Sequence, residues 1–600
     1  MLTSQQRQLL LQYLGPLWKK SLLLLALLLL GVGLQLANPQ IMSDFIDTLG
    51  AAGTMASASA ADSGQDPLLR LALAFLGVSL LSQLVGVIAT YIGEDIGWRT
   101  TNALRTDLAR HCLGLDMSFH NAHTPGEMIE RLDGDVSTLA NFFSQLVVRI
   151  GSNVLLLIGV LLLLLKEDWR VSLALLAYIG LAFLGLGSLQ RIAVAYWEAI
   201  RQASADLFGF LEEQLAGTED IRSNGAEAYV MGRLFEFSAA YLRKALRGVS
   251  MNTLIGALWI GLYVAGQAIA FVSGYFLMRA GLITLGAVYL IVYCTHFVFQ
   301  RLLEVAVQIQ DLQQAGASSE RIRALLVTES KLAGSPNPAP LPAGPLAVTF
   351  DRVTFGYNES EAVLRDVSFH LPAGQTLGLL GRTGSGKTTL TRLVFRLYDP
   401  LQGAICLAAS ENGATPGPGW DIRRVAPAQL CERVGMVTQN VQLFDASVRD
   451  NVTFFDAGIP DEKILQAIDG LGLSAWYRAL PHGLDSRIDS SGKNLSAGEA
   501  QLLAFTRIFL KDPGVIILDE ASSRLDAGSE RLIEAAIEKL LENRTGIIIA
   551  HRLHTVQRAD HILILENGKV QEFGRRRDLA HDPASRFSGL LQTNLAEVLA

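Results

Sequence analysis

The stretch Gln375-Thr376-Leu377-Gly378-Leu379-Leu380-Gly381-Arg382-Thr383-Gly384-Ser385-Gly386-Lys387-Thr388 decides how the second half of this chain folds. A short apolar run with strand character ends in Gly381. The next eight residues match the phosphate-binding loop G-x-x-x-x-G-K-[ST] in full. Thr389 to Tyr398 then reads as a helix. Glycines let the backbone wrap closely around phosphate oxygens. The loop N–H groups converge on the start of a helix, where partial positive charge favours an anion. In that geometry Gly381, Arg382, Thr383, Gly384, Ser385, Gly386 and Thr389 surround a nucleotide, Lys387 reaches its β- and γ-phosphates, and Thr388 ligates magnesium.

A second element fits the first. Val515-Ile516-Ile517-Leu518-Asp519-Glu520 is a buried apolar strand closed by two acids. Asp519 is positioned to hold the magnesium ion, directly or through water. Glu520 is positioned to orient or deprotonate an attacking water. Short β-type runs alternate with helical stretches throughout this half, which implies an α/β domain with a mainly parallel sheet.

The first half has a different composition. Half of the 600 residues are apolar and 18% are charged, against about 25% in ordinary soluble domains. The deficit falls before residue 300. A helix needs about 20 apolar residues to cross a hydrocarbon core of about 30 Å. Six stretches qualify, near 21–46, 68–92, 146–165, 171–189, 255–278 and 282–299. The first follows Lys19 and Lys20 as a signal peptide would, but no small-residue cleavage site closes it, so it reads as a retained span.

Arginine and lysine placement gives the orientation. Arg99, Arg105, Arg110 and Arg131 follow the second span. Arg201, Arg222, Arg233, Arg243, Lys244 and Arg247 follow the fourth, while 50–67 carries no basic residue. Both long connectors and both termini are therefore expected on the cytoplasmic side of a plasma (inner) membrane. Polar residues within the spans (Gln35, Asn38, Gln83, Asn153, Gln267 and His296) either bond between helices or line a cavity.

Ala333 to Pro345 is Pro-rich and reads as an extended linker. Ala408 to Trp420, rich in Gly and Pro, reads as a surface insertion. The expected organisation is a membrane domain over 1–330, a linker over 331–345, an ATPase domain over 346–580 and a tail over 581–600. A net charge of −7 argues against a nucleic-acid partner. The cysteines Cys112, Cys294, Cys406 and Cys431 lack paired spacing and suggest neither disulfides nor a zinc site.

Between the two phosphate motifs lies Asn494-Leu495-Ser496-Ala497-Gly498-Glu499. It resembles the signature, usually LSGGQ, of ATP-binding cassette (ABC) transporters. It opens an expected helix from Ala500 to Leu510. Together with the phosphate loop and the strand acids, the chain resembles an exporter-type half-transporter with the membrane domain first. The resemblance implies six transmembrane helices with long cytoplasmic extensions, an α/β ATPase domain, and ATP with magnesium as ligands.

The resemblance also implies roles for single residues. Tyr357 resembles the aromatic that stacks on adenine. Gln439 resembles the glutamine that contacts magnesium and links the ATP site to the membrane domain. Asp526 lies in the loop that crosses the dimer interface, and His551 resembles the histidine that grips the γ-phosphate. Ser496, Ala497, Gly498 and Glu499 would face the γ-phosphate held by a partner subunit. Glu520, His551 and Gln439 form the implied catalytic set, and Thr388, Gln439 and Asp519 the magnesium set. Ser118 to Glu127 and Gly217 to Gly225 resemble the family's two coupling segments.

Departures are local. Ala497 and Glu499 replace glycine and glutamine of the usual signature. Arg524 stands where a small residue is usual, and Asp489 to Lys493 lacks the usual glutamate. The chain's own phosphate side is complete and the signature it lends is altered. That asymmetry favours a heterodimer of half-transporters with unequal sites over a homodimer. The implied substrate is a lipid, a drug-like molecule or a peptide. An ATP-gated channel or regulator on the same scaffold, or an importer variant, is the alternative.

Overall fold

The computed structural model describes residues 12–55, 67–141, 150–332, 334–335, 338–358, 361–409, 419–438, 441–489, 495–519, 527–549 and 556–592. The chain divides into two compact units. One comprises Met1–Leu113 and Pro125–Thr328, the other Gly114–Thr124 and Glu329–Ala600.

The first unit is helical. Its long helices are Trp18–Met55, Pro67–Leu113, Gly151–Glu167, Trp169–Ala216, Glu227–Arg279 and Leu285–Val327. Among the described residues, four apolar segments, at Gln12–Ala51, Pro67–Leu113, Glu227–Arg279 and Leu285–Val305, are long and apolar enough to cross a membrane, and Trp169–Gly185 is a shorter one. Leu22, Leu80 and Phe276 are each more than half exposed on these helices. Apolar surface on this scale needs lipid rather than water. At 1.5 Å per residue, the 47 residues of Pro67–Leu113 extend about 70 Å, more than twice the hydrocarbon thickness. The connectors are thus largely continuations of the spans, as their length requires.

Polar side chains within this unit bond mostly between helices. Asn38 Nδ2 donates to Ser79 Oγ at 3.1 Å, and the buried Asn153 donates to Glu304 at 3.0 Å. His296 Nδ1 lies 3.1 Å from the Tyr263 hydroxyl. Gln35 Oε1 and Gln267 Nε2 are buried without a hydrogen-bond partner among the described residues, while Gln83 is exposed. Outside the bilayer-length stretches, Arg321 forms a forked pair with the buried Asp135, its Nε at 2.9 Å. Asp135 closes a π-helical turn, Glu130–Asp135.

The second unit is α/β. Its strands are β1 (Leu346–Phe355), β2 (Leu364–Leu371), β3 (Thr376–Leu380), β4 (Gln402–Ala409), β5 (Trp420–Asp421), β6 (Val434–Val437), β7 (Ala446–Ser447), β8 (Arg487–Ile488), β9 (Val515–Asp519), β10 (Thr545–Ile549), β11 (His561–Glu566) and β12 (Lys569–Arg575). A four-stranded antiparallel sheet has the order β2-β1-β4-β5, and a six-stranded sheet the order β12-β11-β3-β10-β9-β6. In the latter, only β12 runs antiparallel to its neighbour. Strands β3, β9 and β10 are buried at every position, so they read as continuous apolar runs.

Alternation along these strands feeds separate cores. Leu377, Leu379, Val515, Ile517, Ile547 and Ile549 point into one core with Leu390 and Leu393. Ile516, Leu518 and Ile548 point into another with Leu502, Phe505 and Ile508. Each such side chain contributes about 2 kcal/mol by leaving water. The helix after the phosphate loop spans Lys387–Val394, starting two residues and ending four residues earlier than expected from sequence. It stops because Arg396 takes a left-handed φ of 53°, with its Nε on Asp399 at 2.9 Å.

One buried cation ties the second core together. Arg507 donates to Asn451 O at 2.7 Å, Gln442 O at 3.0 Å and Asn451 Oδ1 at 3.1 Å. Its guanidinium lies 4.7 Å from the Phe454 ring centroid. Burial lowers its pKa to about 10, so it stays charged at neutral pH. Arg507→Met removes these donors, strands the buried Asn451 carbonyl and takes one donor from the Asn451 side-chain oxygen. We expect a loss of roughly 3 kcal/mol, read as a lower unfolding temperature of this unit. Arg507→Lys should recover little of it, because an ammonium cannot span the same fork.

Candidate functional site

The phosphate loop sits at the C-terminal end of β3, where ligands bind in open parallel sheets. Gly381, Gly384 and Gly386 have φ of 151°, 81° and 103°. A Cβ on Gly381 would lie 2.2 Å from Leu565 O, and one on Gly386 would lie 2.7 Å from Leu364 Cδ2. No other residue fits either position. Arg382 and Thr383 are exposed on the loop, Thr388 is half-buried, and Lys387 is buried.

Lys387 Nζ donates to Gly381 O at 2.6 Å and to Arg382 O at 3.0 Å. The loop is thereby drawn closed over an ammonium, with the helix Lys387–Val394 beginning directly behind it. The Ser385 hydroxyl is buried and has no hydrogen-bond partner among the described residues. An orphaned donor beside a buried cation at a helix start is the donor set a polyphosphate requires. The residues present therefore fit ATP.

Asp519 is buried at the end of β9. It pairs in register with Ile549 of β10, which pairs with Leu379 of β3. Two strand spacings of about 4.8 Å thus separate Asp519 from the strand that feeds the loop. That span suits a carboxylate acting on a magnesium ion at the phosphates, with Thr388 as the loop's hydroxyl ligand.

Tyr357 follows β1 and is partly exposed. Its hydroxyl lies 3.1 Å from Thr389 Oγ1 and accepts from Arg392 Nη1 at 3.3 Å. Its ring meets Phe355 and Tyr398 edge-on, each at 5.2 Å. Tyr357 is thus held at the lip of the loop with ring surface open to solvent. Gln439, Glu520, Asp526 and His551 lie outside the described residues.

The signature forms a helix start. The helix spans Ala497–Lys511, three residues earlier than expected from sequence, with Ser496 as N-cap. Glu499 N donates to Ser496 Oγ at 3.2 Å, and Ser496 N donates to Glu499 Oε2 at 2.7 Å. This reciprocal capping box satisfies two N–H groups that a helix start otherwise leaves open. Gly498 is buried while Ser496 and Ala497 are exposed.

Sequence reasoning missed two residues beside the site. Tyr398 is buried against Tyr357, and Asn121 Nδ2 donates to its hydroxyl at 2.7 Å. Both lie within segments singled out by motif, but nothing in the sequence pairs them.

Comparison with known proteins follows the two units. The family described as ABC transporter transmembrane region matches residues 21–302. The family described as ABC transporter matches residues 364–523. An uncharacterised ABC transporter ATP-binding protein, YfiC of Bacillus subtilis, is 28% identical over 95% of this chain and 91% of its own length. A fatty acid ABC transporter ATP-binding/permease protein of Mycobacterium bovis is 29% identical over 80% of this chain and 74% of its own. The solved structure of a bacterial Atm1-family ABC exporter with ATP bound superposes with a TM-score of 0.79. It is 24% identical and covers 96% of this chain and 99% of that one, a likeness of fold.

Two substitutions test the loop. Lys387→Ala should abolish photolabelling of this chain by azido-ATP. Ser385→Ala should weaken ATP binding yet leave the unfolding temperature without nucleotide unchanged or higher, because it removes a buried unpaired hydroxyl.

Proposed function

Because the chain belongs to the ATP-binding cassette transporter family, with membrane region and ATPase in one polypeptide, we propose that it is one half of an exporter. ATP hydrolysis coupled to transport is its activity, and it works as a dimer in a membrane. The observation that carries this reading is the closed phosphate loop, its Ser385 hydroxyl without a partner among the described residues, in a chain whose other half carries bilayer-length apolar helices.

In the proposed site, Gly381 to Thr389 wrap the triphosphate, Lys387 moves from its loop carbonyls onto the β- and γ-phosphates, and Tyr357 carries the adenine. Thr388, Asp519 and Gln439 hold magnesium, which neutralises phosphate charge when bound. Glu520 orients the attacking water, His551 holds the γ-phosphate, and Asp526 belongs to the loop crossing between subunits. The ATPase half occupies the cytoplasmic face of the plasma membrane.

Pairing follows from the sheet. The loop helix packs into one core and the signature helix into the other, on opposite faces of the same strands. Ser496 to Gly498 then serve a phosphate loop on the partner. The capping box favours unequal sites and a heterodimer. Glu499 already neutralises its own helix start, leaving less for a partner's phosphate. The turn helix Thr218–Ser223 has no buried residue and is available to the partner's ATPase half. The fatty acid transporter among the relatives favours a lipid-like substrate over a peptide.

Closure on ATP requires preferential binding to the paired state. The expected test is Glu520→Gln, measured on a homodimer or on a heterodimer whose partner site is inactivated. Turnover should fall about a thousandfold if roughly 4 kcal/mol of barrier stabilisation is lost, while azido-ATP labelling persists. Unaltered hydrolysis would remove Glu520 from the mechanism.

A further inference from the structure

Eleven residues of the first long connector, Gly114–Thr124, belong to the ATPase unit rather than to the helices on either side of them in sequence. The short helix Met117–Ala122 is fixed there by Asp116. That buried carboxylate accepts from Ser118 N at 2.9 Å, Phe119 N at 3.2 Å and Lys331 N at 2.6 Å. Met117 packs against the first core. From this helix the Asn121 amide reaches the Tyr398 hydroxyl at 2.7 Å.

Tyr398 faces two ways. Its hydroxyl end receives Asn121, and its ring stands at 86° to that of Tyr357. Tyr357 is in turn held at Thr389, within the loop helix. Burial raises the Tyr398 phenol above its ordinary pKa, so it stays neutral across physiological pH. The contacts Asn121, Tyr398, Tyr357 and Thr389 run without a gap from the connector to the phosphate loop.

We propose that Tyr398 and Asn121 are positioning residues that couple a purine base on Tyr357 to the connector segment Gly114–Thr124. The proposal rests on reading Tyr357 as the adenine platform. A base stacked on one face of Tyr357 fixes the tilt of that ring. The edge-on contact with Tyr398 holds only at such a tilt, and the Asn121 bond holds only while Tyr398 keeps its place. By linkage, a connector that draws Asn121 away loosens the platform to the same extent. The phosphates are gripped by the loop itself, so the relay senses the base and not the triphosphate.

The test uses the full chain in lipid, paired with its partner, and reads azido-ATP labelling on this chain. ATP and inorganic tripolyphosphate serve as competitors. Tyr398→Phe keeps the ring and its packing while removing the hydroxyl, and Asn121→Ala removes the other half of the bond. Each should weaken competition by ATP about fivefold and leave tripolyphosphate unchanged, and the double variant should be no weaker than either single one. Hydrogen exchange supplies the second readout. ATP, but not tripolyphosphate, should slow amide exchange across 116–122 in the unaltered chain, and neither should do so in Asn121→Ala.

If Tyr357→Ala weakens ATP while both relay variants leave it unchanged, the platform stands and the relay is overturned. If Tyr357→Ala leaves ATP unchanged, the platform reading fails and the relay falls with it. Equal weakening of ATP and tripolyphosphate in the relay variants would mean a damaged loop, and would also overturn the proposal.

Discussion

The ammonium of Lys387 lies beneath its own loop, held by the carbonyl oxygens of Gly381 and Arg382. The rest of the ATPase unit depends on that arrangement. The loop can keep this shape only because Gly381 and Gly386 leave no Cβ to collide with Leu565 and Leu364. The strand that carries the loop is buried at every position, so the cradle is anchored to a rigid element. The backbone of the loop is thus held in shape by a buried strand and by glycines at the points of closest approach.

The six-stranded sheet acts as a partition. One face takes the loop helix, the other the signature helix and the region around Asn451. Arg507 fastens that region to the signature helix through neutral acceptors on Asn451 and Gln442. A signature set on the far face from its own phosphate loop makes sense only if it completes another chain's site. The placement of the signature helix fits a dimer, and the capping box of Ser496 and Glu499 is the local feature on which the proposal of unequal sites rests.

What the sequence disclosed is what is local. The phosphate loop, Asp519 at its strand end and the apolar stretches are each read within one continuous segment. Element ends were less legible. The loop helix stops at Val394 because Arg396 turns left-handed, and the signature helix starts early because a motif read as a ligand site is also a cap. Side-chain partners across helices were not legible. Asn38 with Ser79 and Asn153 with Glu304 depend on which spans are neighbours. Asn121 and Tyr398 lie 277 residues apart in sequence, and only the fold brings them together.

Nucleotide recognition in this site divides by chemistry. The phosphate end is met by backbone, helix start and Lys387, all fixed charges or dipoles that respond to any polyphosphate. Under the proposed reading of Tyr357, the base end is met by a ring that packs edge-on against Tyr398, which Asn121 holds through its hydroxyl. Charge recognition is long-ranged and tolerant of small displacements, because Coulomb energy varies slowly with distance. Edge-on ring contact and a single hydrogen bond are short-ranged and fail within fractions of an ångström. Movement of the connector therefore changes the base end first while the phosphates stay gripped.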